Sequence, residues 1–351
     1  MSGKTSSKYS RQDWPKEHPD LPSPKIGVLL LNLGTPEGTD YPAMRRYLSE
    51  FLSDRRVVEL TPWLWQPILQ LVILSTRPKR SGAAYKEIWN EELDESPLKT
   101  ITRGQSEGLA QRFAKLYPQV MVDWAMRYGQ PAVGDRIEAL QKAGCDRILL
   151  LPLYPHYSAA TTATACDQAF RRLMTLRWQP SLRVAPAYYD DPAFINALAG
   201  SITESLAGLD WEPEVTIASY HGLPKENLEK GDPYHCHCLK TTRLLRERLG
   251  WDGRRLITTF QSRFGPKEWL QPYTDETVKR LAGEGVKRLA IVSPGFSADC
   301  VETLEEINIG VRESFLEAGG EAFHYIPCLN DSPGHLDFLT GYIEKELGGW
   351  L

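Results

Sequence analysis

IGVLLLNL, residues 26–33, is an almost unbroken apolar run that stops at Gly34, Thr35 and Pro36. A strand with one wet face alternates polar and apolar residues. A run without alternation suits a strand covered on both faces, as in parallel sheets flanked by crossover helices. The rest of the chain repeats the unit. Helix signals at 42–52, 97–116, 133–143, 161–176 and 192–209 alternate with aliphatic runs at 120–126, 147–153, 182–187 and 215–220. The alternation continues through helices at 238–249, 275–282, 301–318 and 334–347, with strands at 256–260, 288–292 and 322–326.

Strand, helix, strand along the whole length predicts an α/β protein of two doubly wound parallel-sheet domains. The expected division is a polar tail at 1–24, an N-terminal domain at 25–190, a C-terminal domain at 191–333, and a last helix at 334–351 packing back on the first domain. NLGTP after the first strand and YHGLP after the fifth hint at two related halves. The hint is weak, because Gly and Pro after a strand are common.

A length of 351 residues exceeds what one core usually organises. A charged fraction of 25% with 42% hydrophobic residues excludes a disordered chain, and a net charge of -4 offers no basic footprint for nucleic acid. No DNA or RNA partner is expected. Six cysteines, none in a Cys-x-x-Cys arrangement, favour a reducing compartment, so the predicted location is the cytoplasm. The first 25 residues lack the apolar core of a secretory signal.

Residues 61–80, TPWLWQPILQLVILSTRPKR, place two tryptophans and many aliphatics before Arg77, Lys79 and Arg80. The segment falls short of the ~20 apolar residues that span a bilayer. It reads either as a core helix with a basic last turn or as a lip that dips into a headgroup layer or rims a pocket for a greasy ligand.

Open parallel sheets bind ligands outside the carboxyl ends of their strands. That edge carries Asn32, Leu33, Arg127, Tyr128, Tyr154, His156, His221, Gln261, Ser262, Arg263 and the 293–299 loop. An imidazole just past a buried strand, as at His221, takes protons or binds a metal near neutral pH. Glu302 and Glu306 lie four apart on one predicted helical face. The helix dipole alone favours acids in a first turn. A His from one lobe facing a Glu from the other would instead make an open two-ligand metal site, better suited to passing a metal on than to storing it. His235, Cys236, His237 and Cys238 look like a metal box, but four consecutive residues at a helix start cannot all face one ion. Neither a dinucleotide fingerprint nor a P-loop pattern is present.

The segments GVLLLNLGTPE, SPLKTITRGQ, MRYGQP, LYPHYSAATT, SYHGLPKENLEKGDPY, TTFQSRFGPKEWLQPYTDET and FSADCVETLEEI make the chain resemble the ferrochelatases over 26–343. These enzymes insert ferrous iron into a porphyrin as the last step of making haem. The resemblance implies two Rossmann-like domains around a porphyrin cleft, no permanently bound cofactor, and Fe2+ and protoporphyrin IX as substrates. It places catalytic roles on His221, Glu302 and Glu306, with His221 and Glu302 meeting the metal in an order left open. It places porphyrin contacts on Asn32, Leu33, Tyr85, Arg127, Tyr154, Phe260 and Ser262. Residues 63–73 fall on the lip that covers the porphyrin and, in some members, rests on a membrane. Oligomeric state is left open.

Three departures from the family pattern matter. Some members hold a two-iron two-sulfur cluster with a Cys in the segment written here YSAATT and three more in a C-terminal extension. Ala159 stands at the first position and no Cys follows Cys328, so that cluster is expected to be absent. Cys300 stands where relatives often have His, which puts in doubt any scheme needing a second histidine there. Leu33 replaces the Tyr of relatives that take coproporphyrin, favouring protoporphyrin IX. The alternatives are a chelatase for another tetrapyrrole or metal, such as coproporphyrin with iron or a cobalt chelatase, and a haem or metal carrier without turnover.

Overall fold

The computed structural model describes residues 24–351, so positions 1–23 of the expected tail lie outside the described residues. Eight strands form two parallel sheets. β1 (Lys25–Gly34), β2 (Val120–Tyr128), β3 (Cys145–Pro152) and β4 (Ser181–Val184) run in the order β2-β1-β3-β4. β5 (Val215–His221), β6 (Leu256–Gln261), β7 (Arg288–Val292) and β8 (Ala322–Ile326) run in the order β6-β5-β7-β8. Counted from its own first strand, each half has the same order, and the first strand is flanked by the second and third. The chain therefore changes direction across the sheet beside β1 and again beside β5, the places where α/β sheets open a crevice. The likeness of NLGTP to YHGLP has a structural counterpart: Leu33 and His221 occupy matching places in the two halves.

The unbroken apolar run of β1 has two covered faces. Val28 and Leu30 enter a core shared by both halves, which also holds Met126, Leu151, Ala218, Tyr220, Leu256 and Val292. Leu29 and Leu31 face Val133, Ile137 and Ala169 on the outer side. The outer face of the second sheet likewise packs Ile217, Leu289, Ile291 and Phe323 against Val278 and Phe315. Burial of each such aliphatic side chain is worth about 1.5–3 kcal/mol.

Four helices begin on an Asp or Ser closely followed by Pro: Asp40 before Tyr41–Leu52, Ser96 before Pro97–Leu116, Asp191 before Pro192–Ala207 and Ser332 before Pro333–Glu346. The side-chain oxygen takes an otherwise free amide, and Pro has no amide to satisfy. The helix Pro333–Glu346 packs on Pro97–Leu116, where Arg112 meets Asp337 at 2.5 Å. A side chain at Gly108 would lie 2.6 Å from Leu336, so glycine makes that approach possible.

Two predicted helices are interrupted. The 61–80 segment is Pro62–Ile68, a π-helical turn at Leu69–Ile73, and the start of Leu74–Glu87. Trp63 and Leu71 stand 73% and 76% exposed, so this is no ordinary core helix. The 301–318 segment is Val301–Leu304, a π-helical turn at Glu306–Val311, and Arg312–Glu317. The Gly310 amide reaches back five residues to the Glu305 carbonyl at 2.9 Å. Such turns recur at functional positions.

Candidate active site

β5 ends on His221, which faces Gln261 in register on β6. His221 Nδ1 lies 2.7 Å from the Gly222 carbonyl. A carbonyl only accepts, so Nδ1 carries a proton in this contact and Nε2 is the ring nitrogen left to face the site. A Cβ at Gly222 would lie 2.7 Å from the Gln261 carbonyl and 3.1 Å from the Trp269 ring. Glycine is what lets the strand end close against β6 and the indole.

Gln261, only one of many edge residues in the sequence, links the site together. Its Oε1 accepts from Ser219 Oγ at 2.7 Å, and its Nε2 donates to the Glu302 carbonyl at 2.7 Å and to Glu306 Oε2 at 3.3 Å. Ser262 follows in the left-handed region, φ 65°, and donates its amide to Glu306 Oε1 at 2.7 Å and its hydroxyl to Oε2 at 2.5 Å. Burial raises the Glu306 pKa above the usual carboxylate range, and the Glu302 charge adds to the rise. The Ser262 bonds and His221 pull the other way, so His221, Glu302 and Glu306 act on one another electrostatically.

These three groups all come from the second half. An imidazole and a carboxylate facing each other from opposite lobes is therefore not what the chain builds. β5, β6 and the segment after β7 are neighbours in one parallel sheet, and their carboxyl ends meet at one edge. The first half supplies a wall of aromatic and aliphatic side chains instead. Tyr47 and Tyr85 meet edge-on with ring centroids 6.4 Å apart, and Leu33, Phe51, Tyr128 and Val301 pack in the same cluster. Burial raises the pKa of both the Tyr47 and Tyr85 hydroxyls, and the Glu302 charge contributes in each case, which places that carboxylate beside the wall.

The remaining predicted contacts divide. Leu33 and Tyr85 lie on the wall, and Tyr154 packs on the outer-side cluster of the first half, its buried hydroxyl without a partner among the described residues. Asn32 is buried, donating to Thr102 Oγ1 at 3.0 Å and accepting from the Leu33 amide at 2.9 Å. Phe260, 2% exposed, sits in the shared core between Tyr220 and His235, with centroids 6.3 and 5.6 Å away. Arg127 is buried in an ion pair with Asp54, donates to Thr164 Oγ1 at 2.5 Å, and borders a separate polar depression of about 1200 Å³ with Arg45, Arg56 and Asp167. That depression contains none of His221, Glu302 and Glu306.

His235 stacks on Phe260, Cys236 is exposed, His237 stacks on Tyr189 at 3.7 Å, and Cys238 is in the core, so the four side chains do not converge on one point. Cys300 is buried beside Glu302, and burial followed by that charge pushes its thiol pKa well up. From the lip, Arg77 lies over the Phe264 ring at 4.4 Å, a contact between the halves.

A family model described as Ferrochelatase matches residues 25–347. The chain is 61% identical to the ferrochelatase of Rhizobium meliloti (strain 1021) over 335 residues, 95% of this chain and 98% of that one. It is 60% identical to the ferrochelatase of Mesorhizobium japonicum over 327 residues, 93% of this chain and 92% of that one. Among solved structures, SirB from Bacillus subtilis with Fe3+ is similar at a TM-score of 0.55 and 13% identity, covering 93% of this chain and 97% of SirB. At that identity the likeness is one of fold.

Proposed function

The chain belongs to the ferrochelatase family, and from that premise we propose that it is a lyase that inserts Fe2+ into protoporphyrin IX, yielding protohaem and two protons. The observation that carries this reading is the linked group of the second half. His221 leaves Nε2 to face the site, Glu302 and Glu306 are linked to its strand edge through Gln261 and Ser262, and Val301, next to Glu302, packs on the tyrosine wall.

Fe2+ replaces two pyrrole N–H protons, so the charge balances only when both protons leave as the ion enters. A flat macrocycle holds its lone pairs in plane and presents them poorly. Walls that grip and bend the ring tip those lone pairs toward an incoming ion. Leu33, Tyr85, Tyr154 and Ser262 serve that contact, while Asn32 and Arg127 are tied to Thr102 and Asp54 and Phe260 lies in the shared core. His221 Nε2 takes a pyrrole proton. Glu302 receives the ion or passes a proton to Glu306, whose raised pKa suits it to holding a proton and releasing it toward solvent. Among the described residues no three His, Cys, Asp or Glu side chains are grouped to hold an ion. An iron meeting His221 and Glu302 keeps its other positions for porphyrin nitrogens. The exposed stripe of Trp63, Leu64, Ile68, Leu71 and Val72 suits a peripheral contact with a membrane surface on the cytoplasmic side.

The test is an anaerobic, reducing assay with protoporphyrin IX in excess over protein. Catalytic consumption supports a chelatase, and a single stoichiometric binding event supports a carrier. His221→Ala should lose insertion and retain porphyrin binding; near-normal turnover ends the assignment. A panel of porphyrins with Fe2+, Co2+ and Zn2+ identifies the substrate pair.

A further inference from the structure

The motif SPLKTITRGQ, residues 96–105, has no part in the chemistry above, yet its last residue joins the two halves next to the site. Gln105 is fully buried on Pro97–Leu116 of the first half. Its Nε2 donates to the Ser297 carbonyl at 3.0 Å and to the Asn330 carbonyl at 2.9 Å. Ser297 lies on the loop from β7 to Glu302, and Asn330 on the loop after β8.

The two loops are also locked to each other. Asn330, in the left-handed region at φ 51°, donates Nδ2 to Asp299 Oδ2 at 2.7 Å and accepts the Asp299 amide at Oδ1 at 2.8 Å. Asp299 Oδ1 accepts from Thr303 Oγ1 at 3.0 Å and from the Tyr325 hydroxyl at 2.5 Å. Thr303 Oγ1 in turn accepts the Cys300 amide at 3.0 Å. The turn that starts Val301–Leu304, and so directs Glu302, hangs from this chain of bonds.

We propose that Gln105 is a positioning residue for Glu302: an amide clamp from the first half that sets the carboxylate against the tyrosine wall. The inference rests on the reading that Glu302 handles the metal or the displaced protons. A buried amide donating to two carbonyls from loops remote in sequence holds both at a fixed reach, and neither loop can shift without losing a bond inside the protein.

Gln105→Met keeps the length of the side chain and removes the donor. The full chain carrying it is compared with the parent for melting temperature, porphyrin affinity, kcat, KM for Fe2+ and the pH profile. The expected result is a loss of kcat/KM for Fe2+ on the order of tenfold or more, as a misplaced reacting group gives. Porphyrin affinity should hold and the pH profile should move. Asn330→Gly retains the backbone carbonyl and the left-handed turn but cuts the link to Asp299. It should show the same signature, and the double variant should be no worse than the weaker single, because both cuts fall on one chain of bonds. Unchanged kcat and KM for Fe2+ per folded molecule, with only the melting temperature lowered, overturns the clamp, as do additive losses. Should Gln105→Met not fold, Gln105→Leu, which also removes the donor, is read by the same measurements. Glu302→Gln run alongside separates the failures. If it is inactive while Gln105→Met is normal, the clamp fails alone; if it is fully active, the reading of the site itself fails.

Discussion

Ser262 binds Glu306 twice, with its amide on one carboxylate oxygen at 2.7 Å and its hydroxyl on the other at 2.5 Å. Both bonds favour the ionised form, against burial and the Glu302 charge. Ser262→Ala removes one of them, so the Glu306 pKa should climb further. The acid limb of the kcat/KM profile for Fe2+ is expected to move to higher pH. A limb that stays in place takes Glu306 out of the proton route.

The same raised pKa has a consequence for stability. A carboxyl group that holds its proton more tightly folded than unfolded contributes full stability below its ordinary value of 4.5, and that contribution is lost as pH rises through the folded value. Glu306→Gln should therefore melt higher than the parent at pH 7 to 8, with an advantage that shrinks below the ordinary carboxylate range. Melting curves across that pH span check the sign.

His156 works in the opposite sense. It is buried, with Nε2 2.8 Å from Thr241 Oγ1 and no partner at Nδ1 among the described residues, and burial lowers its pKa to about 3 from 6.5. His335, also buried, falls to about 4. The unfolded chain protonates these rings first, so their contribution is present above pH 6.5 and is lost as pH falls toward the folded values. Each ring should remove about 1.4 kcal/mol per pH unit within its window. Urea unfolding at a series of pH values should show this slope flattened by one ring in His156→Gln.

Gly222→Ala drives a methyl group to 2.7 Å from the Gln261 carbonyl and 3.1 Å from Trp269, next to the carbonyl that orients His221. Overpacking of this kind costs about 1–3 kcal/mol. Turnover should fall further than porphyrin affinity, because the imidazole moves while the wall does not. Steady-state kinetics beside a binding titration separates the two effects.

Among the described residues Trp63 and Leu71 stand out from the lip, 73% and 76% exposed. Trp63→Ser with Leu71→Ser should weaken sedimentation with lipid vesicles and leave the melting temperature nearly unchanged. Equal sedimentation of parent and variant rules out the membrane role of this segment.

The order of strands and helices was legible in the sequence because its signals are local. The doubly covered run of β1 needs only its own residues to announce a buried parallel strand, and Asp40, Ser96, Asp191 and Ser332 mark helix starts from within a few positions. His221, Glu302 and Glu306 were legible as a motif. The tertiary structure alone decided that all three belong to one half, that Val301 beside Glu302 packs on the tyrosines of the other half, that Phe260 and Asn32 turn inward, that Arg127 is tied to Asp54, and that Gln105 spans the halves. The physical reason is that a side chain's role follows from which face of its strand or helix is covered and by what. The partners of Arg127 and Gln105 lie far along the chain, where no local periodicity reaches.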